Sequence, residues 1–191
     1  DGYAENCEHA LPMLVERKIP VTYFIAGQTC EQQPFPHDVE RGAPLAPNSI
    51  ESICSMSNAG IEIGAHTRTH CDLGSLTDPD QIVDEVLTAT REMEELIGRP
   101  IRYFAFPFGQ VENLNDDVFH MLRRAGIEGV CSAYGGWNNI GGDPFHLQRV
   151  HGDTDFARMK NWLSFDPRIA HQPRYDYSSR SREVWPVADP V

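Results

Sequence analysis

Two imidazoles, His66 and His70, stand four residues apart in the segment Gly64-Ala65-His66-Thr67-Arg68-Thr69-His70. Residues at i and i+4 share one side of a helical turn. This spacing lets both ring nitrogens reach one cation, as in helical zinc sites. Alone, the pair is a weak signal. It gains weight by following the strand-like run Ile61-Glu62-Ile63-Gly64-Ala65 directly, because parallel α/β folds collect functional residues where strands end. A third ligand is needed, and Asp1, in Asp1-Gly2 ahead of a helical segment, is a candidate. Two imidazoles and a carboxylate suit a hydrolytic divalent metal. Zinc fits best, and cobalt, nickel and iron are not separated from it by ligand type. The same ligands describe non-haem iron oxygenases, whose usual antiparallel jelly roll conflicts with the pattern below.

Other residues are candidates by position. Pro107-Phe108-Gly109, Trp137 and His151 each follow a predicted strand. Pro-Phe-Gly by default is a tight turn. Trp137 with Asn138 and Asn139 offers an aromatic face and amides, which sugar sites use, or it is simply packed. His37-Asp38, with Phe35 nearby, sits in a long loop and forms either a substrate wall or a solvated turn. Arg149 and Asp143 are a candidate ion pair, and Cys71 adjoins His70. His9, His120 and His146 have no partner pattern and read as structural.

The elements that must hold these groups alternate. A helix is expected from Ala4 to Arg17, then a buried strand at Val21–Ile25, rich in β-branched and aromatic residues. A Pro- and Gly-rich loop from Gln28 to Pro47 is long enough to be functional or mobile. A helix at Asn48–Asn58, the strand at Ile61–Ala65 and a helix at Asp78–Ile97 follow, the last opened by Pro79 and stopped by Gly98. Then come a strand at Ile101–Phe106, a helix at Asp116–Ala125, strands at Gly129–Ala133 and Leu147–Val150, and a helix at Phe156–Leu163. Strands separated by helices imply a parallel α/β sheet or barrel. One domain is expected over 1–165, with 166–191 an irregular C-terminal extension.

Composition narrows the partners. The chain has 191 residues and a formal net charge of −12, with no basic cluster, which argues against nucleic acid and anionic membrane surfaces. No run approaches the roughly 20 apolar residues of a transmembrane span. Five cysteines show no C-x-x-C pair; Cys7, Cys54 and Cys131 fall in apolar regular segments and read as small hydrophobes. The first residue is Asp1 rather than Met, so the chain reads as a processed or truncated product. Compartment is left open between cytoplasm and cell envelope.

Taken in order, Asp1-Gly2-Tyr3, Val21–Ile25, Glu62–His70 and Phe104-Ala105-Phe106-Pro107-Phe108-Gly109 resemble the polysaccharide deacetylase family over roughly Asp1 to His151. The resemblance implies a distorted (β/α) barrel with its first strand missing or truncated. It implies removal of N-acetyl, sometimes O-acetyl, groups from a glycan, and a metal held by Asp1, His66 and His70. It also makes Pro107, Phe108 and Gly109 a groove wall, with an oxyanion-binding N–H near Phe108-Gly109, and His151 the general acid. Three departures qualify it. The family's first motif, Thr-Phe-Asp-Asp-Gly, is matched only from its second Asp, so the general base would precede Asp1. Ala105 stands where many members have an Arg that orients that base. Val150-His151 only approximates the family's Leu-x-His segment. Alternatives are an amidohydrolase acting on a small amide and a catalytically impaired carbohydrate-binding module.

Overall fold

Five short runs pair side by side, the middle three largely buried on both faces, which favours a parallel sheet covered by helices. The computed structural model describes residues 1–42, 45–152, 154–164 and 166–177, without the side chains of His37 and Ala170. The strands are β1 (Thr22–Ile25), β2 (Glu62–Ala65), β3 (Tyr103–Ala105), β4 (Gly129–Cys131) and β5 (His146–Leu147). They pair in the order β1-β2-β3-β4-β5, every pair parallel, with Thr22 opposite Glu62, Ala65 opposite Phe104, Ala105 opposite Cys131 and Val130 opposite His146. Chain order along the sheet is the order of a βα barrel wall rather than of a doubly wound sheet.

The expected strand at Leu147–Val150 is instead His146–Leu147, and the one at Gly129–Ala133 stops at Cys131. The loop expected from Gln28 to Pro47 contains two short helices, α2 (Gly27–Cys30) and α3 (Pro36–Glu40), before α4 (Ile50–Asn58). The first helix is a π-helical turn, Asn6–Ala10, running into α1 (Leu11–Glu16).

The long helix behaves as its sequence dictates. α5 (Pro79–Val83), a π-helical turn (Asp84–Thr88) and α6 (Ala89–Ile97) run on without a break. Asp78 caps the start by accepting from the Asp80 N–H at 3.0 Å, and Gly98 ends it at φ +65°. Ile82, Val86, Ala89 and Met93 turn to the core. α7 (Asp116–Arg124) contributes Val118, Phe119 and Leu122, which pack with Phe104 and Phe106 of the β3 end. α8 (Phe156–Ser164) follows β5. Of the segment 166–191, residues 166–177 hold α9 (Pro167–Ala170) and two tyrosines, Tyr175 and Tyr177, stacked on Phe119; 178–191 lie outside the described residues. Among the described residues no helix is long and apolar enough to cross a membrane.

Candidate metal centre

Asp1 lies beside the end of β1. Its backbone nitrogen donates to the Phe24 carbonyl at 2.9 Å, and its carbonyl accepts from the Ala26 N–H and from the Thr29 hydroxyl. Gly2 makes this possible. Its φ is +108°, and a Cβ there would sit 2.5 Å from the Thr29 Oγ1. Asn48 then holds the turn from the other side, its N–H on the Gly2 carbonyl and its side-chain amide on the Tyr3 carbonyl.

His66 and His70 come together, but not by helical spacing. Residues 66–70 form no helix; His66 continues from the end of β2, and Thr67 and His70 take φ of +63° and +60°. The expectation of a helical turn is corrected by what grips this loop. The α2 N–H groups of Gly27 and Gln28 donate to the Thr67 and Arg68 carbonyls at 2.9 and 2.6 Å. On the opposite side the buried Glu85 carboxylate, from the π-helical turn, accepts from the N–H groups of Arg68 and Thr69 and from the Thr69 hydroxyl. Left-handed non-glycine residues cost about 1–3 kcal/mol each and persist where surroundings over-determine them. Here five hydrogen bonds do so.

The electrostatics of the pair suit a cation. His66 is 5% and His70 7% exposed. Burial pushes His66 well below the ordinary imidazole range, and burial is the main cause that takes His70 to about 4. Both rings are therefore neutral near pH 7. His66 Nδ1 lies 2.6 Å from the Ala105 carbonyl. A carbonyl only accepts, so Nδ1 carries the proton and Nε2 presents a lone pair. That lone pair faces Asp1 Oδ1 at 3.2 Å, and His70 Nε2 faces the same oxygen at 3.3 Å. Two acceptors at such a distance repel unless a cation lies between them. A tetrahedral zinc site with bonds of about 2.0–2.1 Å has ligand–ligand edges of about 3.3–3.4 Å. The ligand atoms of Asp1, His66 and His70 all lie within 4.8 Å of one another, and they form the one such group among the described residues.

The triad opens into a cleft of about 520 Å³. Phe108 lies on it, its ring 5.0 Å from that of His70 and edge-on, with 48% of the residue exposed. Pro107-Phe108-Gly109 is a three-residue turn with the Gly109 N–H on the Pro107 carbonyl and Phe108 at φ +60°. The Gly109 N–H is thus spent inside the turn. Gly109 itself is buried, and a Cβ on it would meet the Ala133 nitrogen at 2.6 Å. Pro107 is buried beneath the rim.

Two expected residues stand apart. His151 is exposed and does not line the cleft. Trp137 does not line it either; its indole N–H donates to the Trp162 carbonyl in α8 at 2.9 Å. Arg149 and Asp143 do not pair. Asp143 accepts from Tyr177 and lies near Arg123, whereas Arg149 donates through Nε to the Ser132 carbonyl and lies over the Phe24 ring on the cleft. Asp38 lies on the cleft wall; the side chain of His37 is outside the described residues. Cys71 is not in the ligand group, and burial and then Glu85 push its thiol up to about 12. All five cysteines are free.

Sequence reasoning missed Glu85, Tyr3 and the cleft-facing role of Arg149. Glu85 left a trace: it falls between Ile82 and Ala89 on the buried stripe of an otherwise amphipathic helix, where an unpartnered carboxylate would be costly. Arg149 left none beyond following a strand.

Residues 1–130 match the family described as Polysaccharide deacetylase. The Bacillus subtilis protein YxkH, which carries the same family description, is 23% identical over 128 residues, 67% of this chain. The chain spans 40% of that relative's length. Among solved structures, the fold is similar to that of IcaB from Ammonifex degensii, with TM-score 0.64 and 24% identity, covering 85% of this chain and 67% of that one. It is also similar to a de-N-acetylase from Aggregatibacter actinomycetemcomitans, with TM-score 0.69 and 19% identity, covering 85% and 72%. The Streptococcus pyogenes deacetylase PplD gives TM-score 0.69 at 17% identity, covering 87% and 68%. With its match over residues 1–130, this chain belongs to the polysaccharide deacetylase family.

Proposed function

We propose that this chain is the catalytic domain of a metal-dependent hydrolase that removes N-acetyl groups from a glycan. The observation that carries the reading is the convergence of the Nε2 atoms of two buried imidazoles on one carboxylate oxygen at 3.2 and 3.3 Å. Asp1, His66 and His70 would hold the ion, zinc being the best match to three N/O ligands that leave an open position. A metal bound there would polarise the acetyl carbonyl and lower the pKa of water toward neutrality.

Residues of the chain shape the surroundings of the ion. The Ala105 carbonyl fixes the His66 tautomer, so the ring needs no reorganisation to act as a ligand. Arg149 keeps a positive charge on the cleft next to the triad, where negative charge develops on an attacked acetyl oxygen. Phe108 presents an exposed ring beside His70, an apolar face of the kind that stacks on a sugar. His151, exposed and off the cleft, is not part of this proposal.

The test has two parts. Isothermal titration with zinc should give one site per chain in the wild type and none in the His66→Ala variant. Acetate release from N-acetylglucosamine oligomers by the full-length, zinc-loaded protein should then be lost on chelation and restored by zinc. Retention of one full-affinity site in His66→Ala would overturn the metal centre. Zinc binding without acetate release from any N-acetylated glycan would overturn the activity.

A further inference from the structure

A row of side chains crosses one face of the sheet at the level of the triad. Ala105 stands opposite Cys131, and Cys131 opposite Leu147. Extending the Ala65–Phe104 pairing by one residue sets His66 beside Ala105. Partners in a parallel register point to the same face, so the row reads His66, Ala105, Cys131, Leu147. Its two middle members are small. Arg149, two residues past Leu147, reaches over them. It donates through Nε to the Ser132 carbonyl at 3.0 Å, and its guanidinium carbon lies 5.3 Å from the centre of the Phe24 ring in β1. Its charge acts on the Cys131 thiol and on His66 along the way.

This guanidinium carries five N–H donors, and Nε is the one that the fold engages. Among the described residues no carboxylate pairs with it. Burial lowers its pKa from the ordinary value, and no carboxylate opposes that shift. Arg68 shows what a structural arginine looks like in this chain: it pairs with both Asp84 and Glu92. Arg149 instead lines the cleft with Asp1, His66 and His70. Packing on Phe24 alone needs no charge, and a desolvated guanidinium without an anion is costly. The group that completes Arg149 is therefore an anionic oxygen inside the cleft.

Resting on the deacetylase reading above, we propose that Arg149 is a catalytic residue whose reach depends on the small side chain at position 105. As water adds to the acetyl carbon, the carbonyl π pair moves onto the acetyl oxygen, and the terminal N–H groups of Arg149 donate to it. Ala105 leaves open the face that the guanidinium crosses. The site needs one guanidinium on this face, and an arginine at 105, in the same row, can supply it in place of Arg149.

The test uses the full-length, zinc-loaded protein and an N-acetylglucosamine pentamer. Arg149→Met keeps the length of the side chain and removes the charge. It should lower kcat about 100-fold or more, the scale of one lost oxyanion donor, with KM within about threefold. Zinc affinity and the urea midpoint should hardly move. Methylphosphonate, a tetrahedral anion that mimics the attacked acetyl group, gives a readout without turnover: its calorimetric affinity should fall about 10-fold or more in Arg149→Met. Arg149→Lys should retain more of kcat than Arg149→Met. Adding Ala105→Arg to Arg149→Ala should restore kcat about 10-fold or more over Arg149→Ala alone. A kcat within about threefold of wild type in Arg149→Met, or an unchanged methylphosphonate affinity, overturns the catalytic role. A parallel fall in zinc affinity does so too, by making Arg149 a support for the triad. A folded double variant without recovery overturns the part given to position 105. If the wild type releases no acetate while methylphosphonate binding still depends on Arg149, the deacetylase reading fails and the anion site stands.

Discussion

The loops that follow β2 and β5 both begin where a parallel strand ends, and their fates differ. After β2, residues 66–70 are held from both sides, by the α2 N–H groups and by Glu85, and two imidazoles end up buried and aimed at one point. After β5, the backbone is held through Arg149, whose carbonyl accepts from the Gly135 N–H, and Arg149 turns into the cleft. Two residues later His151 is exposed. A strand end is therefore an opportunity for a site. It becomes one when the next turn is over-determined by neighbouring elements.

The largest break in that contrast comes from the proposed ligands. His66→Ala or His70→Ala should weaken zinc binding by well over 100-fold, beyond the 10–100-fold typical of an outer partner. Calorimetry measures this, and a loss under 10-fold would remove the triad from the argument.

Glu85 is the next test. Glu85→Ala strands three donors, two of them backbone N–H groups, and should cost about 3 kcal/mol in urea unfolding while weakening zinc about 10- to 100-fold. Glu85→Gln keeps an acceptor and should recover part of both. An unchanged zinc affinity in Glu85→Ala would mean that the loop holds its shape without the clasp.

Protonation gives a smaller, graded effect. His146 is fully buried, and burial with the Arg174 charge takes it to about 4, whereas unfolded histidine sits near the ordinary 6.5. Between those values the unfolded chain binds more protons, so stability falls as pH drops from about 6.5 toward 4 and is fully present above 6.5. The slope is about 1.4 kcal/mol per pH unit for one proton. In the zinc-free protein the buried His66 and His70 add slopes of the same sign, so His146→Gln should lower the pH slope of the urea midpoints by about one proton's share without abolishing it; an identical slope in the variant would refute the assignment.

The smallest effect should come from His151→Ala, with kcat within about twofold. A general acid in contact with the leaving group would instead be worth about 10²–10⁴-fold. A drop of that size would show that the β5 loop rearranges to reach the substrate.

Part of the centre was legible before any fold. Asp1, His66 and His70 were readable because ligand chemistry restricts residue type and because each stands next to a strand or a tight glycine turn. The geometry behind His66 and His70 was misread. Helical spacing would have aligned them, whereas two left-handed residues and a buried carboxylate do so. Trp137 and His151 were chosen for residue type after a strand, and residue type says nothing about which way a long connection turns. Asp38 was visible only as a loop carboxylate, because its partner Tyr3 lies 35 residues away in the chain.

By itself, then, the sequence determined the alternation of strands and helices, the helix starts and stops at Pro79 and Gly98, the core stripe through Ile82, Val86 and Met93, and the identity of the metal-ligand candidates. These follow from local rules: hydrophobic period, capping and ligand chemistry act within a few residues. Only the tertiary structure decided that Glu85 clasps the loop between His66 and His70, that Arg149 and Asp38 face the cleft, and that Trp137 and His151 do not. Those outcomes depend on contacts between distant segments. A buried charge is tolerated only where the folded chain happens to bring it a partner, and no local pattern encodes where that partner will be.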